Sequence, residues 1–317
     1  MQAEDIRNIS VIGAGLMGHG IAQIFASQNH DVYLLDVEAA LLPKAIENIR
    51  SNLTMMARKG IGLESEVEAI IGRIRTTTDM QEAVSDAHLV IEAVSENLEL
   101  KQKVFQDLDQ LCSLETILAT NTSVISITEI AARSRHRERI LGTHFWNPPY
   151  IIPLVEVIKG KESSDEVIET TCQVMKKVGK HPVKCMKDVP GFIANRLQHA
   201  LWREAISIVE NGIADPATVD EAIKKGFAIR LPVLGPLENA DMVGLDLTLA
   251  IHDYILKHLE SSPEPSPILR AKVERGELGF KTGRGFQTWS DDDIAKSRQR
   301  LLDYLLDWKQ KERDKTT

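Results

Sequence analysis

Cysteine is scarce in this 317-residue chain, which has only Cys112, Cys172 and Cys185. They show no paired spacing and no histidine neighbour at ligand distance in sequence, so they read as reduced thiols of a cytoplasmic protein. Each suits a small buried apolar group better than a nucleophile. No His or Cys cluster has metal-ligand spacing, so a metal-dependent hydrolase lacks support and no metal site is expected. No apolar run approaches the length that spans a membrane. The start, MQAEDIRN, is polar and acidic, with neither a secretory apolar region nor an Arg-rich transit helix. Basic residues are outnumbered, 38 Lys and Arg against 46 Asp and Glu, and the net charge of −8 argues against a nucleic-acid or anionic-membrane partner. Internal repeats and low-complexity segments are absent as well.

What is present is apolar material, 43% of residues, and a length that suits two domains at about 150 residues each. Up to about residue 187, β-branched runs alternate with helical patterns: ISVIG, DVYLLD, RIRTTT, HLVIEAV, TILATNTS, RILGTHF, PLVEVIKG and HPVKCM. That alternation predicts an α/β fold with a doubly wound, mostly parallel sheet. Ser126 with Glu129, and Ser163 with Glu166, fit the capping-box spacing, and Gly179 closes the helix between 163 and 179. After KDVPG the pattern is helical, opening with Ile193, Leu197, Leu201, Ala205 and Ile208 on one face. Asp215 and Pro216 fit an N-cap and first turn. The expected division is a cofactor domain at 1–188 and an all-helical domain at 189–317. ESSPEPSP reads as a connection, and the tail KQKERDKTT is expected to fray.

The stretch RNISVIGAGLMGHG places Gly13, Gly15, Leu16, Met17 and Gly18 in a G-x-G-x-x-G turn. Such a pattern is weak alone, but this one follows an apolar strand, opens a helix, and precedes a second strand ending in Asp36, eighteen residues beyond Gly18. That is the dinucleotide-binding arrangement of a Rossmann-type fold. The first glycine permits a tight turn, the second lets a pyrophosphate approach, and the helix N-terminus meets its charge. Asp36 would accept from the adenosine ribose hydroxyls and repel a 2′-phosphate, so NAD is the expected cofactor. The other reading is a structural turn with Asp36 as a strand-end cap.

Hydride transfer also needs a base for the alcohol proton. His144, in GTHFWNPPYIIPLVEVIKG, ends a predicted strand, where open α/β sheets place their sites, and Glu156 follows on the next strand. A carboxylate on the far ring nitrogen would fix the tautomer and stabilise the imidazolium. Spacing alone leaves open a packed histidine beside an unrelated surface glutamate.

Over nearly its whole length the chain resembles the L-3-hydroxyacyl-CoA dehydrogenase family, through VIGAGLMGHGIA, VSENLELK, ATNTSVISIT, HFWNPPYIIPLVEVIKG, DVPGFIANRL, GPLENADMVGLD and GFKTGRGF. Several motifs in one order are far more specific than any one. The resemblance implies that His144 is the base and Glu156 its partner, that Ser123 and Asn195 hydrogen-bond the substrate C3 oxygen, and that Glu96, Lys101 and Asn147 line the nicotinamide-ribose side. Without it, Glu96 and Lys101 read as a surface helix start and Asn147 as a turn residue. Asn195 lies in the helical part, which points to a site between domains that closes over a small-molecule substrate. The family likeness further implies fatty-acid metabolism and a homodimer through the helical domain.

Substrate signals divide. Lys59, in MMARKGIG, stands where the family has a CoA-contacting lysine, although Arg58 and Lys59 also fit a solvated helix end. Against that, HFWNPPYIIP replaces the family's HFFNP and is similar to relatives acting on small free acids, the L-gulonate dehydrogenases and a pyridine-carboxylate dehydrogenase. Arg230, in the long stretch KGFAIRLPVLGPLE, could grip a free carboxylate in bidentate fashion, or simply point outward from a loop. The expected activity is NAD-dependent oxidation of an (S)-3-hydroxyacyl-CoA, with a free hydroxy acid as the alternative. A non-catalytic NAD-binding protein, suggested by similarity of the gulonate enzymes to a lens crystallin, is the rival class. Retention of Ser123, His144, Glu156 and Asn195 together argues against it.

Overall fold

The computed structural model describes residues 2–316, with side chains as far as Arg313. The chain divides into two compact units, Met1–Arg196 with Leu302–Thr317, and Leu197–Leu301. All eight β-branched runs form strands: β1 (Asn8–Ile12), β2 (Asp31–Leu35), β3 (Ile74–Thr77), β4 (Leu89–Glu92), β5 (Ile117–Thr120), β6 (Ile140–Phe145), β7 (Leu154–Ile158) and β8 (His181–Cys185). They make one sheet in the order β3-β2-β1-β4-β5-β6-β7-β8.

Strands β1 to β6 pair in parallel, and β7 runs against β6. The reversal follows from chain length, because the connection 146–153 is too short for the crossover that a parallel partner requires. Helices on the sheet bury the inner strands almost completely, with Val11, Leu34, Ile91 and Ala119 at 0% exposure. This is why the central strands read as unbroken apolar runs rather than alternating ones. The chain winds away from β1 in both directions, which opens a crevice beyond the carboxyl ends of β1 and β4.

Local signals mostly act as their chemistry demands. Ser126 accepts from Glu129 N at 3.2 Å, and Asp215 from Thr218 N at 2.9 Å with Pro216 in the first turn. Gly179, at φ 74°, turns the chain out of helix Asp165–Lys177. The cap of that helix is Ser164, accepting from Val167 N at 3.2 Å, and not Ser163. Ser163 donates instead to Ile140 O and accepts from Gly160 N at 2.9 Å, tying the loop after β7 to the start of β6. Of the tail KQKERDKTT, residues 309–316 continue helix Asp291–Thr316, and Thr317 lies outside the described residues. Among the described residues, no helix is long and apolar enough to cross a membrane.

Candidate active site

The turn after β1 is built by glycine. Gly13 sits at φ 104°, and a Cβ there would stand 2.7 Å from Ala93 O. A Cβ on Gly18 would collide with the Gly13 carbonyl, whereas Gly15 faces open space with nothing within 4 Å. Open space at the second glycine, beside the N-terminal end of helix Gly18–Ser27, fits a pyrophosphate against the backbone. Asp36 lies at the end of β2 and accepts from Ala14 N at 2.7 Å and Glu38 N at 3.0 Å. It thus braces the turn while remaining partly exposed. Leu16 is 68% exposed and Met17 packs on the core. His19, which the sequence reading passed over, holds the Gly15 carbonyl through Nδ1 at 2.8 Å.

His144 and Glu156 are direct cross-strand partners in the β6–β7 ladder, so both side chains leave the same face. His144 Nδ1 lies 2.8 Å from Glu156 Oε2, and the residues are 5% and 0% exposed. Burial alone would raise the Glu156 carboxyl, but His144 and the Ala194 and Ile193 amides hold it below its ordinary value. Those amides, at 3.0 and 2.9 Å from Oε1, open helix Ala194–Glu210, whose dipole adds to the effect. An ionised carboxylate at Nδ1 favours the tautomer that carries its proton there and leaves Nε2 as the free ring nitrogen. Phe192, at φ 51° and 1% exposed, closes one side with its ring centroid 5.8 Å from the imidazole.

Ser123 and Asn195 meet: the Asn195 amide, 8% exposed, donates to Ser123 O at 3.0 Å. Asn195 belongs to the first unit rather than to the helical one, so the polar groups expected at C3 lie in a single unit. Glu96 Oε1 fixes the Ser123 loop, accepting from Ser123 N at 2.9 Å and Thr122 Oγ1 at 2.6 Å. Burial pushes the Glu96 carboxyl up, but the Thr122 hydroxyl, the Lys101 charge and the Ser123 and Val124 amides together hold it below its usual range.

Lys101 departs from one of its two readings. At 1% exposure it is not the surface residue of its plainer reading, and its Nζ lies 2.7 Å from Glu92 Oε1 and 3.4 Å from Glu96 Oε2, which ties it to the Glu96 side of the site. The signal for this was Glu92 itself, a carboxylate inside an apolar strand that needs a buried counter-charge. Asn147 is exposed, before a cis Pro148. Lys59 pairs with Asp303 at 3.1 Å and Asp307 at 3.4 Å. Arg230 is exposed and lies in the other unit.

Two further groups were missed. Asn121 Oδ1 accepts from Phe145 N at 2.9 Å, beside His144. Lys180, 7% exposed, donates to Pro149 O and, at 2.8 Å, to Ile152 O, pinning the segment after Asn147. The three cysteines are buried and free, and burial raises their thiols, that of Cys112 to about 11.

A nucleotide-accepting turn and a carboxylate-backed imidazole along one sheet edge define a dinucleotide-dependent oxidoreductase. Residues 8–189 match the NAD-binding domain of 3-hydroxyacyl-CoA dehydrogenase and residues 191–289 match its C-terminal domain. The chain belongs to the 3-hydroxyacyl-CoA dehydrogenase family and is an NAD-dependent dehydrogenase. It is 40% identical over 288 residues to the mitochondrial hydroxyacyl-coenzyme A dehydrogenase of Rattus norvegicus, covering 89% of this chain and 90% of that one. The (S)-3-hydroxybutyryl-CoA dehydrogenase structure from Ralstonia eutropha matches with TM-score 0.77 and 35% identity, covering 90% of this chain and 100% of that one. A structure of 5-formyl-3-hydroxy-2-methylpyridine 4-carboxylic acid 5-dehydrogenase, an NAD+-dependent dismutase, matches with TM-score 0.88 and 35% identity, covering 95% and 96%.

Proposed function

We propose that the chain oxidises a 3-hydroxy group to a 3-keto group, with His144 as general base and Glu156 as its partner. The observation that carries this reading is the buried His144–Glu156 contact at 2.8 Å, joined through the start of helix Ala194–Glu210 to the Asn195–Ser123 bond. NAD supplies the hydride acceptor when bound. The Gly13–Gly18 turn and Asp36 hold it, and Glu96 and Asn147 flank its nicotinamide-ribose side. Ser123 and Asn195 hydrogen-bond the C3 oxygen while His144 Nε2 takes the hydroxyl proton, and the Glu156 carboxylate stabilises the resulting imidazolium. Lys101 acts through Glu96, as a positioning residue.

The family supports an (S)-3-hydroxyacyl-CoA as substrate, which would place the chain in fatty-acid metabolism. Likeness to the pyridine-carboxylic acid enzyme supports a second reading, a small free hydroxy acid gripped by Arg230. A homodimer through the helical unit is supported by helix Leu245–Ile255, where Leu245, Leu247, Leu249, Ile251, Tyr254 and Ile255 are all exposed. Three unpaired cysteines support a cytoplasmic location.

NADH formation by the purified protein with (S)-3-hydroxybutyryl-CoA, free 3-hydroxybutyrate and L-gulonate tests the reaction. His144→Gln should lower kcat by about 100-fold or more at unchanged NAD affinity. Near-normal turnover in that variant would remove His144 from the role.

A further inference from the structure

Helix Asp291–Thr316 lies beyond the matched C-terminal domain, which ends at residue 289. Its second half belongs to the sheet unit. Leu306 packs there with Leu302 and Leu305 against Met55, Met56 and Ile61, and against Tyr150 and Ile151 of the segment that follows the His144 strand. Burial of these side chains, rather than any exposed ion pair, holds the helix in place. Beside this apolar seam, Asp303 and Asp307 project one turn apart onto the Lys59 ammonium, at 3.1 and 3.4 Å.

Lys59, just past helix Leu41–Arg58, is the cation that the family resemblance offers to a phosphorylated substrate. Two carboxylates already match it, so their local sum with the ammonium is negative. A phosphate monoester, carrying about two negative charges near neutral pH, must displace both acids to reach the lysine.

We propose that Asp303 and Asp307 are specificity-determining residues: by holding Lys59 they weaken this chain's grip on a phosphorylated acyl carrier such as CoA and shift preference toward a free hydroxy acid. For the reaction this rests on the dehydrogenase reading above, but the binding step stands apart from it.

The test is calorimetric titration of free CoA into the NAD-loaded protein and into the Asp303→Asn/Asp307→Asn double variant, with NADH assays of (S)-3-hydroxybutyryl-CoA and free 3-hydroxybutyrate alongside. Both side chains are partly exposed, so the fold should survive, and circular dichroism checks that it does. Removing two charges at this distance should tighten CoA about tenfold and lower the KM for the thioester by a similar factor. Adding Lys59→Met to the double variant should abolish the gain. Equal CoA affinity in the wild-type and doubly substituted proteins, or weaker affinity in the variant, overturns the proposal. Tighter CoA binding without oxidation of any substrate would instead sink the dehydrogenase reading and leave this one standing. Turnover that depends on His144, with CoA affinity unmoved, would do the reverse.

Discussion

The sheet unit and the helical unit treat apolar side chains in opposite ways. Leu34, Val90 and Leu118 are fully buried between helices supplied by the same chain. In the helical unit, helix Leu245–Ile255 is equally rich in leucine and isoleucine, yet none of its residues is buried. Helix Ala194–Glu210 leaves Leu197 at 60% and Leu201 at 38% exposure on the face that its period marks as apolar. An amphipathic period reports that a face requires cover and says nothing about what covers it. Strands joined by crossovers find their cover nearby in the chain, whereas exposed helix faces point to another molecule.

The sharpest break in that comparison should come from the sheet. Leu34→Ala removes a fully buried side chain from a strand paired on both edges, and should cost about 2–5 kcal/mol. Denaturant unfolding measures it, and a loss below about 1 kcal/mol would show that the core relaxes more than its packing suggests.

Next in size is Glu156→Gln, which keeps the shape but removes the anion that faces His144 Nδ1. A glutamine oxygen can still accept from Ile193 and Ala194, so folding should persist while kcat falls by roughly 100-fold or more at constant NAD affinity. Unchanged kcat would leave the pair a packing contact.

Lys180 gives a smaller, pH-dependent effect. Burial, with a lesser push from Lys309, brings its amine down to about 7. Unfolded, it regains the ordinary lysine value, so between about pH 7 and 10 the unfolded chain binds the extra proton and stability rises with pH, by at most about 1.4 kcal/mol per unit. Below pH 7 the whole penalty is present. Lys180→Met should remove this slope from the unfolding free energy measured between pH 7 and 9.5; an unchanged slope would assign it to other groups.

The same contrast explains what the sequence disclosed. The six inner strands were legible because burial leaves near-continuous apolar runs, the half-exposed edge strands β3 and β8 through their place in the alternation, and the glycine turn because backbone clashes at Gly13 and Gly18 tolerate little else. His144 and Glu156 were legible as candidates, but their contact depends on the β6–β7 reversal, which the length of the 146–153 connection implied and the alternation pattern did not show. Ser163 and Ser164 are adjacent and chemically alike, and only the Ile140 carbonyl decides which one caps. The partners of Lys101, Lys59 and Lys180 were hidden for one shared reason. Lysine reads as solvent-facing until a partner distant in sequence is known, and theirs are Glu92, Asp303 with Asp307, and two backbone carbonyls. The expected boundary at 188 differs from the compact units because residues 189–196 and the helix turns around Leu302, Leu305 and Leu306 belong with the sheet unit.

The smallest effect on folding, and the one that tests the helical side, is Leu249→Asp. At 62% exposure this side chain buries little within its own chain, so the folded subunit should lose no more than about 0.5 kcal/mol. If a second copy covers helix Leu245–Ile255, the new carboxylate sits in an apolar interface without a counter-charge, and association should weaken by far more than folding. Sedimentation over a concentration series separates the two effects. A dimer in the wild type and a folded monomer in the variant would assign the cover to another copy of the chain. A dimer that persists unchanged would place the subunit contact elsewhere and leave the exposed leucines to a different partner.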